Sequence, residues 1–119
     1  MSKNYQKGRS FEYSVKDVFE RAGFYVIRSS GSHTDFDLIC LAQNKVYLVQ
    51  CKFNLEHKRA QKIFQSLFNS VSQYVKDLIE EKIVRICLAY SYNRKRYLLL
   101  NPDQVILLQI AELRKLIDE

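Results

Sequence analysis

The chain has 119 residues, 47% of them hydrophobic, enough for one core and too few for two, so a single domain over residues 1–119 is expected. No apolar run reaches membrane-spanning length and none follows Met1, while three cysteines without a CxxC pair argue against a disulfide framework or a zinc site; the expectation is a cytoplasmic protein with reduced thiols. The formal charge of +6, concentrated in the first half, favours a polyanionic partner, nucleic acid above all.

Phe11, Val15, Val18, Phe19 and Ala22 recur at helical spacing, which predicts an amphipathic helix over residues 8–22, stopped by Gly23. The polar residues 1–6 fall outside it. Residues 24–29 are β-branched and aromatic and predict a strand, followed by a small, polar loop. Residues 36–41 and 45–51 read as two strands of a hairpin that turns at Gln43-Asn44. From 60 to 79 the residues Phe64, Leu67, Phe68, Val71, Tyr74, Val75 and Leu78 keep a 3.6-residue period and predict one long helix. Its apolar stripe is wide enough for part of it to meet a twofold mate. Residues 83–90 form an apolar run expected of a strand buried on both faces, and 97–100 another strand. Asn101-Pro102 then resembles a helix start, leading into a last amphipathic helix that ends near Ile117. The order α-β-β-β-α-β-β-α implies an α/β fold with a mixed sheet flanked by helices.

The chemistry gathers on the first hairpin. Asp37 opens one strand, and Gln50-Cys51-Lys52 closes its partner. Residues two apart on a strand share a face, so Gln50 and Lys52 project together while Cys51 turns to the core. A carboxylate, an amide oxygen, the Cys51 carbonyl and an ammonium thus converge. Such oxygens suit Mg²⁺, with Mn²⁺ as a substitute, and an ion of that kind with a lysine beside it is what phosphodiester hydrolysis requires. Glu12, on the side of the first helix that adjoins its buried face, can join them. Asp35 competes with Asp37, but only Asp37 sits inside the hydrophobic strand pattern. His33 lies in the preceding loop, within reach of phosphate or simply exposed. His57, Lys58, Arg59 and Lys62 open the long helix, and Arg94, Lys95 and Arg96 occupy a hairpin tip. Either cluster can grip phosphates or be a solvated turn.

Residues 8–52 (GRSFEYSVKDVFERAGFYVIRSSGSHTDFDLICLAQNKVYLVQCK) resemble the N-terminal half of the archaeal-type Holliday junction resolvases, within the PD-(D/E)xK nuclease superfamily. The shared pattern is a helix bearing a Glu, then GF-x-V-x-R-S, a Gly-Ser loop, an Asp on a strand and an acid-x-Lys on the next. The resemblance implies a restriction-endonuclease-like fold and a homodimer that cuts opposed strands of a four-way DNA junction with Mg²⁺. It assigns Glu12, Asp37 and Lys52 to catalysis or metal binding, Ser32 to the scissile phosphate, and Arg9 and Arg28 to DNA. One departure matters: Gln50 stands where the resolvases carry Glu. A Gln there is usual in Mrr-like restriction-type domains that act on duplex DNA, and it also fits a catalytically weakened protein that binds branched DNA. Both readings stay open beside the resolvase.

Overall fold

The computed structural model describes residues 3–29 and 35–119. The elements are α1 (Lys3–Arg21), β1 (Tyr25–Arg28), β2 (Leu38–Ala42), β3 (Lys45–Lys52), α2 (His57–Ser70), α3 (Gln73–Glu80), β4 (Val84–Tyr92), β5 (Lys95–Asn101), β6 (Gln104–Leu107) and α4 (Ile110–Ile117). The strands form one six-stranded sheet in sequence order. Among the described residues, β3 and β4 pair parallel and the other neighbours antiparallel.

The connections explain this pattern. Gln43-Asn44 joins β2 to β3 and Asn93-Arg94 joins β4 to β5, with φ of 51° and 64° in the first turn and 52° and 65° in the second. Two consecutive positive φ values give the turn whose twist matches antiparallel strands. Between β3 and β4 run α2 and α3, the crossover a parallel pair needs.

Side chains alternate across the sheet and build two cores. Cys40, Tyr47, Val49, Cys87, Ala89 and Leu98 face α1 and α4, where Phe11, Val15, Phe19, Leu113 and Leu116 cover them. Ile86, Leu88, Tyr90 and Leu99 face the opposite way, under Ala60, Phe64 and Leu67 of α2. The expected both-face burial of residues 83–90 is met from residue 86 to 90 of β4, whereas Ile83 precedes the strand and is exposed.

Among the described residues, α2 packs on β4 and β5 and not chiefly on β1 and β2. Tyr25 and Ile27 of β1 are 69% and 43% exposed. Their cross-strand partners Leu41 and Ile39 are half-buried, as are Val46 and Leu48 beyond them. An apolar strip thus runs over three strands, with exposed residues at its β1 end among the described residues.

Three expectations change. α1 begins at Lys3, well before residue 8. The single helix over 60–79 is two, because Val71 and Ser72 are extended (ψ 154° and 160°) and the Ser72 hydroxyl caps α3 by accepting from the Val75 N–H at 3.3 Å. The apolar period runs through the break because Phe68, Val71 and Ile79 lean on the same core. Asn101-Pro102 starts no helix: the Asn101 side chain accepts from the Asp103 N–H at 2.9 Å and turns β5 into β6, a strand the sequence reading lacked.

Candidate active site

Asp37 stands just ahead of β2, its N–H donating to Val49 O at 2.9 Å and its carbonyl accepting from the Ser29 N–H at 2.9 Å. Hairpin pairing of Leu38 with Val49 then carries its side chain to the end of β3. There Asp37 Oδ2 accepts from the Cys51 N–H at 2.7 Å. A short bond of a backbone donor to a carboxylate is charge-assisted, and it fixes where the second oxygen points.

Gln50 and Lys52 share the α2 face of β3, Gln50 half-buried and Lys52 exposed. Gln50 Nε2 donates to Asp35 O at 2.8 Å, so the amide ties down the backbone two residues before Asp37. The Asp35 carboxylate instead accepts from the Ser70 hydroxyl at 3.4 Å, at the end of α2. Those partners separate the rival aspartates: Asp37 bonds to the end of β3, Asp35 to a helix terminus.

Cys51 packs against the α1 core. Burial pushes its thiol well up, and the Asp37 and Glu12 carboxylates push it further. The thiol therefore stays neutral, and both carboxylates act on this one spot from different elements.

Glu12 lies on α1, which packs on β3, and has Arg28 bound to it. Arg28 Nε donates to Glu12 Oε1 at 2.7 Å, and the two side chains are only 26% and 16% exposed. The Arg28 guanidinium also lies over the Tyr13 ring, 4.8 Å from its centroid, with Arg9 at 5.7 Å. A hydrogen bond with Arg9, then the charge of Arg28, lower the Tyr13 hydroxyl pKa. Sequence reasoning missed Tyr13, although Arg9 and Tyr13 are one helical turn apart and so share a face.

Lys58, Arg59 and Lys62 are exposed in the first turns of α2. His57 is exposed too, but its Nδ1 lies 2.6 Å from the Tyr90 hydroxyl and its ring sits edge-on to Tyr90, Tyr92 and Tyr97. Tyr90 pairs with Lys52 across the parallel strands, so this aromatic cluster borders the site. It was invisible in sequence because its members come from α2, β4 and β5. Arg94 and Lys95 are exposed at the β4–β5 turn, and Arg96 is half-buried. Ser32 and His33 lie outside the described residues.

No group of three or more His, Cys, Asp or Glu that could hold a metal occurs among the described residues. The candidate donors are of a different kind, namely the Asp37 carboxylate, the Gln50 amide oxygen and the Cys51 carbonyl, with Glu12 adjoining. All are hard oxygens, which fit a hard divalent cation and not zinc.

A family model for archaeal Holliday junction resolvases (Hjc) matches residues 3–107. Over 58 residues the chain is 41% identical to the crossover junction endodeoxyribonuclease Hjc of Methanocaldococcus jannaschii, a stretch covering 49% of this chain and 43% of that protein. The alignment thus spans less than half of that curated relative. The structure of Hjc from Archaeoglobus fulgidus, a Holliday junction resolvase, matches with a TM-score of 0.53 at 16% identity, over 91% of this chain and 98% of that one. At that identity the likeness concerns the fold.

Proposed function

Because the chain belongs to the family of archaeal Holliday junction resolvases, we propose that it is a metal-dependent endonuclease that resolves four-way DNA junctions by paired strand cleavage. The observation that carries this reading is the Asp37 carboxylate held on the Cys51 N–H at 2.7 Å, at the end of the strand that bears Gln50 and Lys52. We take the cofactor to be Mg²⁺, with Mn²⁺ as a substitute, and the place of action to be the cytoplasm.

When bound, the ion supplies charge stabilisation to the scissile phosphate and lowers the pKa of water beside it. Asp37, Gln50 and the Cys51 carbonyl would hold it. Asp37 needs no reorganisation to do so, since hydrogen bonds at both its backbone and its side chain already set its position. The Lys52 ammonium orients the attacking water and offsets the charge that develops as that water gives its proton to solvent. Glu12 orients water from the α1 side, and Arg28, with Arg9, reaches DNA phosphate. Lys58, Arg59, Lys62, Arg94, Lys95 and Arg96 extend that phosphate-binding surface, and Ser32 is assigned to the scissile phosphate. Gln50 gives a weaker, neutral ligand, so the site requires more metal than a two-carboxylate site would.

Paired cleavage requires two sites related by a twofold axis, and an isologous homodimer provides them. The apolar strip of Tyr25, Ile27, Ile39, Leu41, Val46 and Leu48 is the surface we assign to that contact. Contiguous exposed apolar area of this kind marks an interaction site. It carries no charge, which suits a self-complementary interface.

The test is a cleavage assay on four-way, duplex and single-stranded DNA across a range of Mg²⁺ and Mn²⁺. Paired nicks in the junction at far lower enzyme than duplex requires are expected. Equal cutting of duplex would assign the chain to restriction-type nucleases. Tight junction binding without cutting at any metal level, which the neutral Gln50 makes the main alternative, would assign it to binding alone.

A further inference from the structure

Directly after Lys52 the chain enters a groove of about 810 Å³, bounded by the start of α1, Phe53-Asn54 and the β4–β5 turn. Lys7, Arg94 and Arg96 line it, no carboxylate among the described residues does, and Phe53 and Tyr92 supply aromatic surface. Phe53 is 45% exposed. One side of its ring rests on Phe11, with centroids 6.2 Å apart and planes at 57°.

Two details argue that this surface is built for a ligand. Asn54, which follows Phe53, is held at φ 59°, and its N–H donates to the Ser91 hydroxyl at 2.8 Å while Leu55 N–H donates to Ser91 O at 2.8 Å. Phe53 is therefore presented by a turn pinned at two points. Arg94, on the opposite wall, sits at φ 65°, where glycine is favoured and a long side chain is strained. Neither the exposed face of the Phe53 ring nor a strained arginine adds to the core.

We propose that this groove binds an unstacked, single-stranded stretch of DNA, with one base stacked on Phe53 and its phosphates on Lys7, Arg94 and Arg96. An aromatic face flanked by cations is the usual platform for single strands, and a duplex, whose base faces are covered, has no use for it. Resting on the nuclease reading, the groove would take the strand that continues past the scissile phosphate, since it begins one residue beyond Lys52. Charge argues against a second copy of the chain here, because a twofold contact would set like charges against each other.

The experiment is binding of a fluorescent oligothymidine, followed by anisotropy in EDTA so that cleavage cannot intervene. Phe53→Leu keeps apolar bulk against Phe11 but removes the stacking face. Its affinity should fall about tenfold, with an unchanged salt slope because no phosphate contact is lost and with an unchanged thermal melting temperature. Phe53→Trp should bind at least as tightly as the parent. Arg94→Ala should instead lower the salt slope. An oligothymidine affinity that Phe53→Leu leaves unaltered overturns the proposal, as does loss of self-association in that variant, which would make the groove an interface between copies. Junction cleavage by the parent protein is measured in parallel. A protein that cuts junctions yet ignores Phe53→Leu removes the groove alone. One that binds oligothymidine through Phe53 yet never cuts removes the resolvase reading alone.

Discussion

The Lys52 side chain is exposed at the end of β3 and is free of any core packing duty. Lys52→Ala should therefore leave thermal stability intact and lower junction cleavage by about 10²- to 10⁴-fold, the usual effect of removing a group that assists deprotonation of the attacking water. Junction affinity, spread over many phosphate contacts, should change little in the same variant. Equal loss of binding and cleavage would make Lys52 a DNA contact. Asp37→Asn should behave likewise and Asp35→Asn should not, given their different partners; the reverse pattern would exchange their roles. Gln50 is subject to two opposing effects. Gln50→Glu adds a charged ligand and should lower the Mg²⁺ needed for half-maximal cleavage. It also removes the donor to Asp35 O, so the metal-free protein should lose about 1 kcal/mol in urea unfolding, with metal restoring it. If Gln50→Glu and the parent respond to metal identically, Gln50 is no ligand.

At the scale of elements, the β4–β5 turn holds the sharpest conflict between local preference and sequence. Asn93 suits its positive φ, and Arg94 does not. Arg94→Gly should stabilise the protein by about 1 kcal/mol by relieving that strain, and it should weaken DNA binding. A variant that gains neither stability nor loses affinity would show the arginine to be incidental. The same turn shows what was legible in sequence. Two-residue connections, the apolar run of β4 and the helical period of α1 are local signals, and the Asp37–Cys51 approach follows from them once Gln43-Asn44 sets the hairpin register. The break at Val71-Ser72 was not legible, because both helices draw on one core and so keep a common period. β6 was hidden because Asn-Pro serves equally as a helix start and as a turn, and only pairing with β5 decides. The Arg9–Tyr13–Arg28–Glu12 contacts and the tyrosines around His57 are tertiary, and no pattern within one segment encodes them.

For the whole molecule, the apolar strip on β1 to β3 is the surface we propose for assembly. Light scattering at micromolar concentration should report twice the 14.1 kDa of one chain. Ile27 is 43% exposed, so Ile27→Glu should leave each subunit folded while halving that mass, because a carboxylate buried unpaired in an apolar contact is strongly disfavoured. Unchanged mass in the variant would move the contact elsewhere, and a monomeric parent would remove the paired-cut mechanism. The sheet's sequential strand order has a further consequence, for how the chain finds its structure. Neighbouring strands are also neighbours along the chain, so most loops that must close during folding are short and their closure entropy is small. The long closure is the α2–α3 crossover from Lys52 to Val84. The hairpin carrying Asp37, Gln50 and Lys52 can pair before that crossover docks, which brings the three residues of the proposed site together ahead of the finished core.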